Sequence, residues 1–428
     1  MSNIMVIYPK PNEYKKPRFG FSYNWALIGT VLYNDGHNII LHDYSCEDFN
    51  DDVFFSELKN KKIRLIIIEF DSFALKRSEN DFHGKKLILS IKNKYPEILI
   101  IVYGYYCCLT GSDIPYADIT IKQNDINIVM ASIHKLYPEV SLLQYETFDS
   151  LPFINRSLIK TIPHFKKHEI STLVQTAKGC DNTCVFCQRK GWQSVYVAHG
   201  NSYVFSEFEE LKSQNFRNVW ITDENFTFDL DRAKIILKYL IESEITENMN
   251  IAISSWANID HEFLDLALLC KIKTISFGIE TGNSEILQFY RKNIDLNKAK
   301  QLIQYANSIG LFTVGNFIIG APMETIDTIN ETFAFIKSCS FDQVNIKTLD
   351  YMIGSELYST ADINLVKNNT HVFACKENGL NNFPLEEIRN VKMIFLTQYY
   401  KDMSLITGKK MDIINASLPA KKRQNSHL

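Results

Sequence analysis

Three cysteines stand close together near the middle of this sequence. Cys180, Cys184 and Cys187 follow a C-x3-C-x2-C spacing, so their thiolates can reach one metal centre from a single loop. A closed structural zinc site needs four ligands, and no fourth Cys or His stands nearby. An iron–sulfur cluster also normally takes four protein ligands, so three thiolates leave one iron open to a small molecule. The spacing predicts a metal centre. It leaves an open iron–sulfur cluster and zinc with a distant fourth ligand as alternatives.

The remaining six cysteines are scattered, and we interpret them as small buried apolar side chains: Cys46, Cys107, Cys108, Cys270, Cys339 and Cys375. Nine cysteines in 428 residues are too few, and an odd number, for a disulfide scaffold. The first residues lack the basic flank and cleavage site of a signal peptide, and no run of about 18 apolar residues occurs. We therefore expect a cytoplasmic protein.

Composition sets further bounds. At 46% hydrophobic and 22% charged residues, the chain is typical of a soluble globular protein with two or three domains. Its formal net charge is −3, so bulk electrostatics indicate neither nucleic acid nor a membrane surface as a partner.

Residues 1–140 alternate between short apolar runs and helical patterns, which predicts a doubly wound parallel sheet. The predicted strands are Ile4–Tyr8, Asn38–Leu41, Ile63–Glu69 and Ile98–Tyr103. Residues 141–170 are irregular, and we interpret them as a linker that packs across two domains.

A second alternating series predicts a partial (β/α)6 barrel over residues 171–360. Its strands are Thr172–Ala177, Asn218–Thr222, Asn250–Ser254, Thr274–Gly278, Phe312–Ile319 and Gln343–Thr348. Residues 361–428 are expected to form a short C-terminal cap, with a helix near Leu385–Tyr400 and a polar tail that includes Lys421.

The cysteine segment resembles the motif of the radical S-adenosylmethionine superfamily, in which an aromatic residue immediately precedes the last cysteine. Phe186 fills that place. The resemblance implies that Cys180, Cys184 and Cys187 hold a [4Fe–4S] cluster, that S-adenosylmethionine binds its open iron, and that Phe186 lies near the adenine. It also implies an enzyme in which reductive cleavage of the cofactor gives a 5′-deoxyadenosyl radical, which takes hydrogen from an unactivated C–H bond.

Polar residues follow the predicted barrel strands, where active-site groups of such barrels belong. Asp223 and Glu224 end the second strand, and the resemblance implies that this pair holds the amino group of S-adenosylmethionine. The alternative is a helix N-cap followed by a first-turn acid. Ser255 ends the third strand and is a further cofactor candidate, although Asn258 stands where relatives often carry arginine.

The fourth and fifth strands complete the expected cofactor shell. Residues 276–282 resemble a family element in which Glu280 accepts hydrogen bonds from the ribose or the amino group; alternatively it caps the next helix. Arg291 and Lys292 also match the family, or else form a solvated helix end. Gly320 is expected to allow close approach of the adenine.

The first domain resembles the flavodoxin-like, cobalamin-binding domain of one subfamily. Two departures concern the cobalamin crevice. Residues 103–105 read Tyr-Gly-Tyr where relatives carry Gly-Gly, and residues 122–125 replace a Gly-Glu-Gly-Glu turn. The sequence thus leaves cobalamin binding open, and a domain retained for packing or substrate docking is the alternative.

Three functions follow from these patterns. With cobalamin, the chain is expected to be a C-methyltransferase. Without it, the substrate radical would rearrange, cyclise, epimerise or cross-link. The third alternative is a non-catalytic metal-binding module. The partners implied for the enzyme are a small-molecule or peptide substrate and a one-electron reductant such as flavodoxin or ferredoxin.

Overall fold

A computed structural model describes residues 2–9, 21–71, 83–191, 195–367 and 369–406. The predicted polar tail lies outside these residues.

The first sheet has five parallel strands: β1 (Asn3–Tyr8), β2 (Asn38–Asp43), β3 (Leu65–Glu69), β4 (Leu99–Tyr103) and β5 (Ile119–Thr120). They lie in the order β2-β1-β3-β4-β5, the strand order of flavodoxin. Four helices connect them, α1 (Tyr23–Asn34), α2 (Asp51–Asn60), α3 (His83–Lys94) and α4 (Tyr105–Thr110), and α5 (Ile126–Leu136) follows the last strand. The predicted doubly wound sheet is confirmed.

Both faces of this sheet are covered, which explains its continuously apolar strands. Along β3, Leu65 and Ile67 belong to one buried cluster, whereas Ile66 and Ile68 belong to a second. Successive strand residues point to opposite faces, so each layer of helices receives alternate residues.

The segment after this sheet is fastened to both parts of the chain. Phe165, in helix α6 (Ile162–Lys167), stacks on Phe21 with ring centroids 6.3 Å apart. Arg156 is 2% exposed and donates hydrogen bonds to Thr172 Oγ1 at 2.9 Å and Glu207 Oε1 at 3.1 Å. A single buried apolar cluster therefore runs from the first sheet through this segment into the second.

The second sheet has six parallel strands: β6 (Thr172–Val174), β9 (Asn218–Ile221), β10 (Asn250–Ser255), β11 (Ile272–Glu280), β12 (Phe312–Ile319) and β13 (Gln343–Thr348). They follow one another in chain order, with β6 and β13 at the two edges. The flanking helices are α7 (Asn201–Ser213), α8 (Leu230–Glu242), α9 (His261–Leu269), α10 (Ser284–Tyr290), α11 (Leu296–Ser308) and α12 (Ile326–Cys339). This is the predicted partial barrel.

The first barrel strand is shorter than predicted. It leaves the sheet after Val174, and a two-stranded antiparallel ribbon follows, made of β7 (Ala177–Lys178) and β8 (Val197–Ala198). The backbone of Thr176 donates to Asp223 Oδ1 at 2.7 Å and accepts from His199 N at 2.9 Å. These bonds replace the sheet pairing and direct the chain into the cysteine loop.

The C-terminal cap covers the β13 edge. It contains β14 (Asp350–Met352), β15 (His371–Phe373), α13 (Glu356–Thr360), α14 (Ile363–Val366) and α15 (Leu385–Ile406). The hydroxyl of Tyr399 in α15 donates to Phe341 O at 2.6 Å, and Val344 N donates to the Tyr400 hydroxyl at 2.8 Å. Among the described residues, no helix combines the length and hydropathy needed to cross a membrane.

Candidate functional site

A cavity of about 760 Å³ opens at the carboxyl ends of the barrel strands. Of the residues singled out from the sequence, those that line it are Cys180, Cys184, Cys187, Phe186, Glu224, Ser255, Glu280 and Lys292. Asp223 and Gly320 do not line it. Its volume is within the range typical of small-molecule sites.

The three thiols of the cysteine loop line the same cavity but do not converge on one point. Cys184 is buried, which raises the pKa of its thiol to about 11, while Cys180 and Cys187 are half-buried. The side-chain amide of Asn182 donates to Cys180 Sγ at 3.0 Å. Within the described ranges, no three His, Cys, Asp or Glu side chains are grouped so as to hold a metal ion. The thiols thus share a cavity without forming a single-ion site.

Asp223 and Glu224 face different surroundings. Asp223 is 3% exposed and accepts hydrogen bonds from the backbone and hydroxyl of Thr176. Burial raises the pKa of its carboxyl to about 6. Glu224 instead lines the cavity, accepts from Gly179 N at 2.9 Å and lies 3.4 Å from Arg189 Nε. Of the predicted pair, Glu224 is the one beside the cysteines.

Ser255 lines the cavity but its hydroxyl already has partners. Its Oγ lies 2.6 Å from Thr227 Oγ1 and 2.7 Å from Trp256 O. Asn225 Oδ1 accepts from the Thr227 hydroxyl and from Trp256 N, which ties the two strand ends together. Asn258 is exposed and does not reach this cavity.

Glu280 forms a buried ion pair that the sequence did not indicate. Its Oε1 lies 3.1 Å from Lys292 Nζ, which also donates to Gly278 O at 3.0 Å. The ammonium lies 3.8 Å from the centre of the Trp256 ring. A Cβ on Gly278 would stand 2.9 Å from Glu280 Oε1, so a side chain there would displace the carboxylate. Lys292 therefore belongs to the site and is not a solvated helix end.

Phe186 and Gly320 have distinct packing. The Phe186 ring meets Tyr290 edge to face, with centroids 5.1 Å apart, at the cavity wall. Gly320 has a φ of +118°, and its N–H donates to Glu324 Oε2 at 2.6 Å. A Cβ there would meet Ala374 O at 3.2 Å. Gly320 is thus required by a tight turn after β12.

The loop after the cysteines contacts the first domain. Gly191 and Gly354 pack against each other, since a Cβ on Gly191 would stand 2.8 Å from the Gly354 Cα. The atom nearest to either added Cβ is Cδ2 of Leu109 in α4. The cysteine loop, the cap and the first domain thus meet at one point.

A second cavity, of about 310 Å³, is lined by residues of both domains. Two of its polar groups, the Tyr103 hydroxyl and the Asn124 amide nitrogen, are buried and have no hydrogen-bond partner among the described residues. Buried polar groups are normally satisfied, so this cavity is suited to a polar ligand.

Residues 174–336 match the model of the radical SAM superfamily. A cytidylyl-2-hydroxyethylphosphonate methyltransferase of Streptomyces wedmorensis is 26% identical over 42% of this chain and 36% of its own length. An uncharacterised methyltransferase of Pyrococcus horikoshii is 28% identical over 45% of this chain and 42% of its own length. The chain thus spans about two fifths of the length of these curated relatives.

Two solved structures share the fold of most of this chain. The radical S-adenosylmethionine methyltransferase TsrM from Kitasatospora setae, solved with cobalamin and a [4Fe–4S] cluster, superposes with a TM-score of 0.69 over 83% of this chain and 74% of its own, at 13% identity. The cobalamin-dependent radical enzyme OxsB, solved with aqua-cobalamin and S-adenosylmethionine, superposes with a TM-score of 0.66 over 84% of this chain and 60% of its own, also at 13% identity.

Proposed function

We propose that this chain, whose residues 174–336 form a radical SAM domain, is a cobalamin-dependent enzyme that methylates an unactivated carbon of its substrate. One observation carries the proposal: Cys180, Cys184 and Cys187 share a single cavity with Glu224 and Glu280.

The donor set fits an iron–sulfur cluster with one open iron. Three thiols line the cavity, and no three acidic, His or Cys side chains of the described residues form a single-ion site. A cluster attaches each thiolate to a different iron, so its ligands need not converge on one point. The Asn182 amide at 3.0 Å from Cys180 Sγ supplies the kind of hydrogen bond that tunes a cluster sulfur.

Glu224, Ser255, Glu280 and Phe186 would hold S-adenosylmethionine in the rest of the cavity. When bound, the cluster and this cofactor supply an organic radical, and cobalamin supplies the methyl group. The chain's own residues orient and shield the ligands. Lys292 fixes the Glu280 carboxylate, and Arg189 balances the charge of Glu224.

Cobalamin would lie between the two domains. The Tyr103 hydroxyl and the Asn124 amide have no partner within the described part of the chain and offer hydrogen bonds to a polar group there. Support also comes from the two relatives, both of which are named methyltransferases, and from the shared fold of two cobalamin-bound structures.

A second candidate function is radical rearrangement, cyclisation, epimerisation or cross-linking without cobalamin. The observation in its favour is the end of β4, where Tyr103 is 1% exposed and Tyr105 begins α4 two residues later. These rings occupy the sheet edge at which relatives carry glycines.

Anaerobic reconstitution with iron and sulfide, followed by reduction with S-adenosylmethionine, tests the proposal. We expect 5′-deoxyadenosine from the natural chain and from Cys46→Ala, a variant outside the cavity, but none from Cys184→Ala. Absence of the nucleoside in the natural chain would favour a non-catalytic metal-binding module. A cobalamin absorption spectrum after incubation with hydroxocobalamin separates methylation from the second candidate.

A further inference from the structure

One wall of the 760 Å³ cavity carries three cationic side chains. Lys347 comes from the carboxyl end of β13, and Arg389 and Lys392 come from helix α15. We call these three residues the cationic wall. Arg389 and Lys392 are three positions apart, so they share one face of the helix.

The cationic wall differs from the other cations of the cavity. Lys292 pairs with Glu280, Arg189 with Glu224 and Lys190 with Glu356. In the part of the chain that the structure describes, by contrast, Lys347, Arg389 and Lys392 have no acidic partner within 4 Å.

One further acidic residue of the described cavity lining, Asp350, contacts a histidine and has no ion pair with the cationic wall. Its Oδ1 lies 3.2 Å from His371 Nδ1. No acidic side chain in the described ranges therefore neutralises the cationic wall, and its positive charge is available to a ligand.

Lys392 is held in place for such a ligand. It is half-buried, and its ammonium donates one hydrogen bond, to Thr348 Oγ1 at 2.7 Å. Burial, followed by the charge of Arg389, lowers the pKa of this amine to about 8. An anion beside both groups would favour the charged form and fill the remaining donor positions.

The helix that carries the wall is rigidly packed. Ile388 is 2% exposed, and Phe395 stacks on Phe333 with ring centroids 3.9 Å apart. The Arg389 guanidinium lies 5.8 Å from the centre of the Phe373 ring. The cations are thus presented at defined positions, which favours recognition of a particular group.

We propose that the cationic wall binds an oxyanionic group, phosphoryl or carboxylate, on a small-molecule substrate. This inference rests on the proposed function, because the wall and the cysteines line the same cavity. Arginine offers paired N–H donors to such oxygens, and lysine adds a compact charge. The substrate would be anchored by its anionic end, with its remainder extending toward the cysteines.

Calorimetric titration of the full chain with reconstituted cluster tests this, with inorganic phosphate and acetate as probes at constant ionic strength. We expect saturable binding, weakened about tenfold in Arg389→Gln and in Lys392→Gln. Lys401→Gln removes one positive charge from the same helix outside the cavity lining and should bind as the natural chain does. Tighter binding of phosphate indicates a phosphoryl substrate, and tighter binding of acetate indicates a carboxylate.

Three results would overturn the inference: no saturable binding of either probe, equal weakening in Lys401→Gln, or loss of probe binding when S-adenosylmethionine saturates the protein. The last would assign the wall to the cofactor. Arg389 is exposed, so Arg389→Gln carries the test even if Lys392→Gln does not fold. Formation of 5′-deoxyadenosine in the same preparation tests the proposed function separately, since it requires no bound anion.

Discussion

Lys292 Nζ lies 3.1 Å from Glu280 Oε1, and the two side chains are only 3% and 11% exposed. Glu280 adopts a left-handed φ of +77°, a conformation that a non-glycine residue takes only at a cost. The pair therefore holds a strained backbone in place beside the cysteine cavity.

Removing one partner of this pair should be strongly destabilising. Lys292→Met leaves a buried carboxylate without its counter-charge, and we expect the free energy of unfolding to fall by about 3 kcal/mol. Chemical denaturation measures this. The exposed pair of Lys238 and Glu262 is the control, because Lys238→Met should cost no more than about 1 kcal/mol. Equal losses in both variants would show that the Glu280 pair has no special role.

The neighbours Asp223 and Glu224 should respond differently to loss of charge. Asp223→Asn turns one acceptor of the Thr176 bonds into a donor, so we expect a loss of stability of about 2 kcal/mol. Glu224→Gln should melt close to the natural chain but bind S-adenosylmethionine more weakly, by about tenfold. Thermal unfolding and equilibrium dialysis report these two effects. The reverse pattern would assign the cofactor role to Asp223.

Stability should depend on pH through Glu69. Burial, above all, raises the pKa of this carboxyl from 4.5 to about 8, with the charges of Asp71 and Asp43 acting in the same direction. The folded state therefore binds the proton more tightly than the unfolded state. This contribution is fully present below pH 4.5 and is lost as the pH rises to about 8, by about 1.4 kcal/mol per pH unit.

The Glu69→Gln variant has no carboxyl proton to lose, so its free energy of unfolding should fall less steeply as the pH rises. The free energy of unfolding, measured by denaturant titration between pH 5 and about 8, gives the slope for each protein. Identical slopes in the natural chain and the variant would mean that Glu69 does not control it.

Gly354 should tolerate no side chain. Its φ is +91°, and a Cβ would stand 2.9 Å from Gln188 O in the loop after the cysteines. Gly36 has a similar φ of +87°, but a Cβ there meets nothing within 4 Å. In both Gly→Ala variants the left-handed backbone conformation should lower the free energy of unfolding by about 1 kcal/mol. Only Gly354→Ala should also lower the amount of iron retained after reconstitution. Iron content per chain is the measurement.

Much of this architecture could be predicted from local patterns. The runs of apolar residues gave the parallel strands, because strands covered on both faces have no polar alternation. The spacing of the three cysteines predicted their shared cavity. Asp223 and Glu224 lie beyond the end of β9, and their different surroundings depend on contacts with Thr176 and Gly179 that local patterns do not reveal.

Other features depend on contacts between distant segments. Lys292 returns to Glu280 because Arg291 ends α10 in a left-handed conformation, with a φ of +55°. A change of chain direction at a single residue leaves no periodic pattern in the sequence. Gly320 was expected beside adenine, but its role is set by Glu324 and by Ala374 of the cap. The cationic wall is assembled from β13 and a helix about 40 residues later, and local sequence does not reveal it.

The buried hydrogen bonds of Arg156 bear on whether the two domains can be separated from each other. Its guanidinium binds Thr172 and Glu207 of the barrel, while the adjacent Asn155 N donates to Thr30 Oγ1 of the first domain at 2.9 Å. Dividing the chain at residue 174 would leave the buried Glu207 carboxylate without its arginine partner. It would also expose the apolar face of the barrel that the preceding segment covers. The two halves should behave as one cooperative unit, melting together in calorimetry and resisting separation by limited proteolysis.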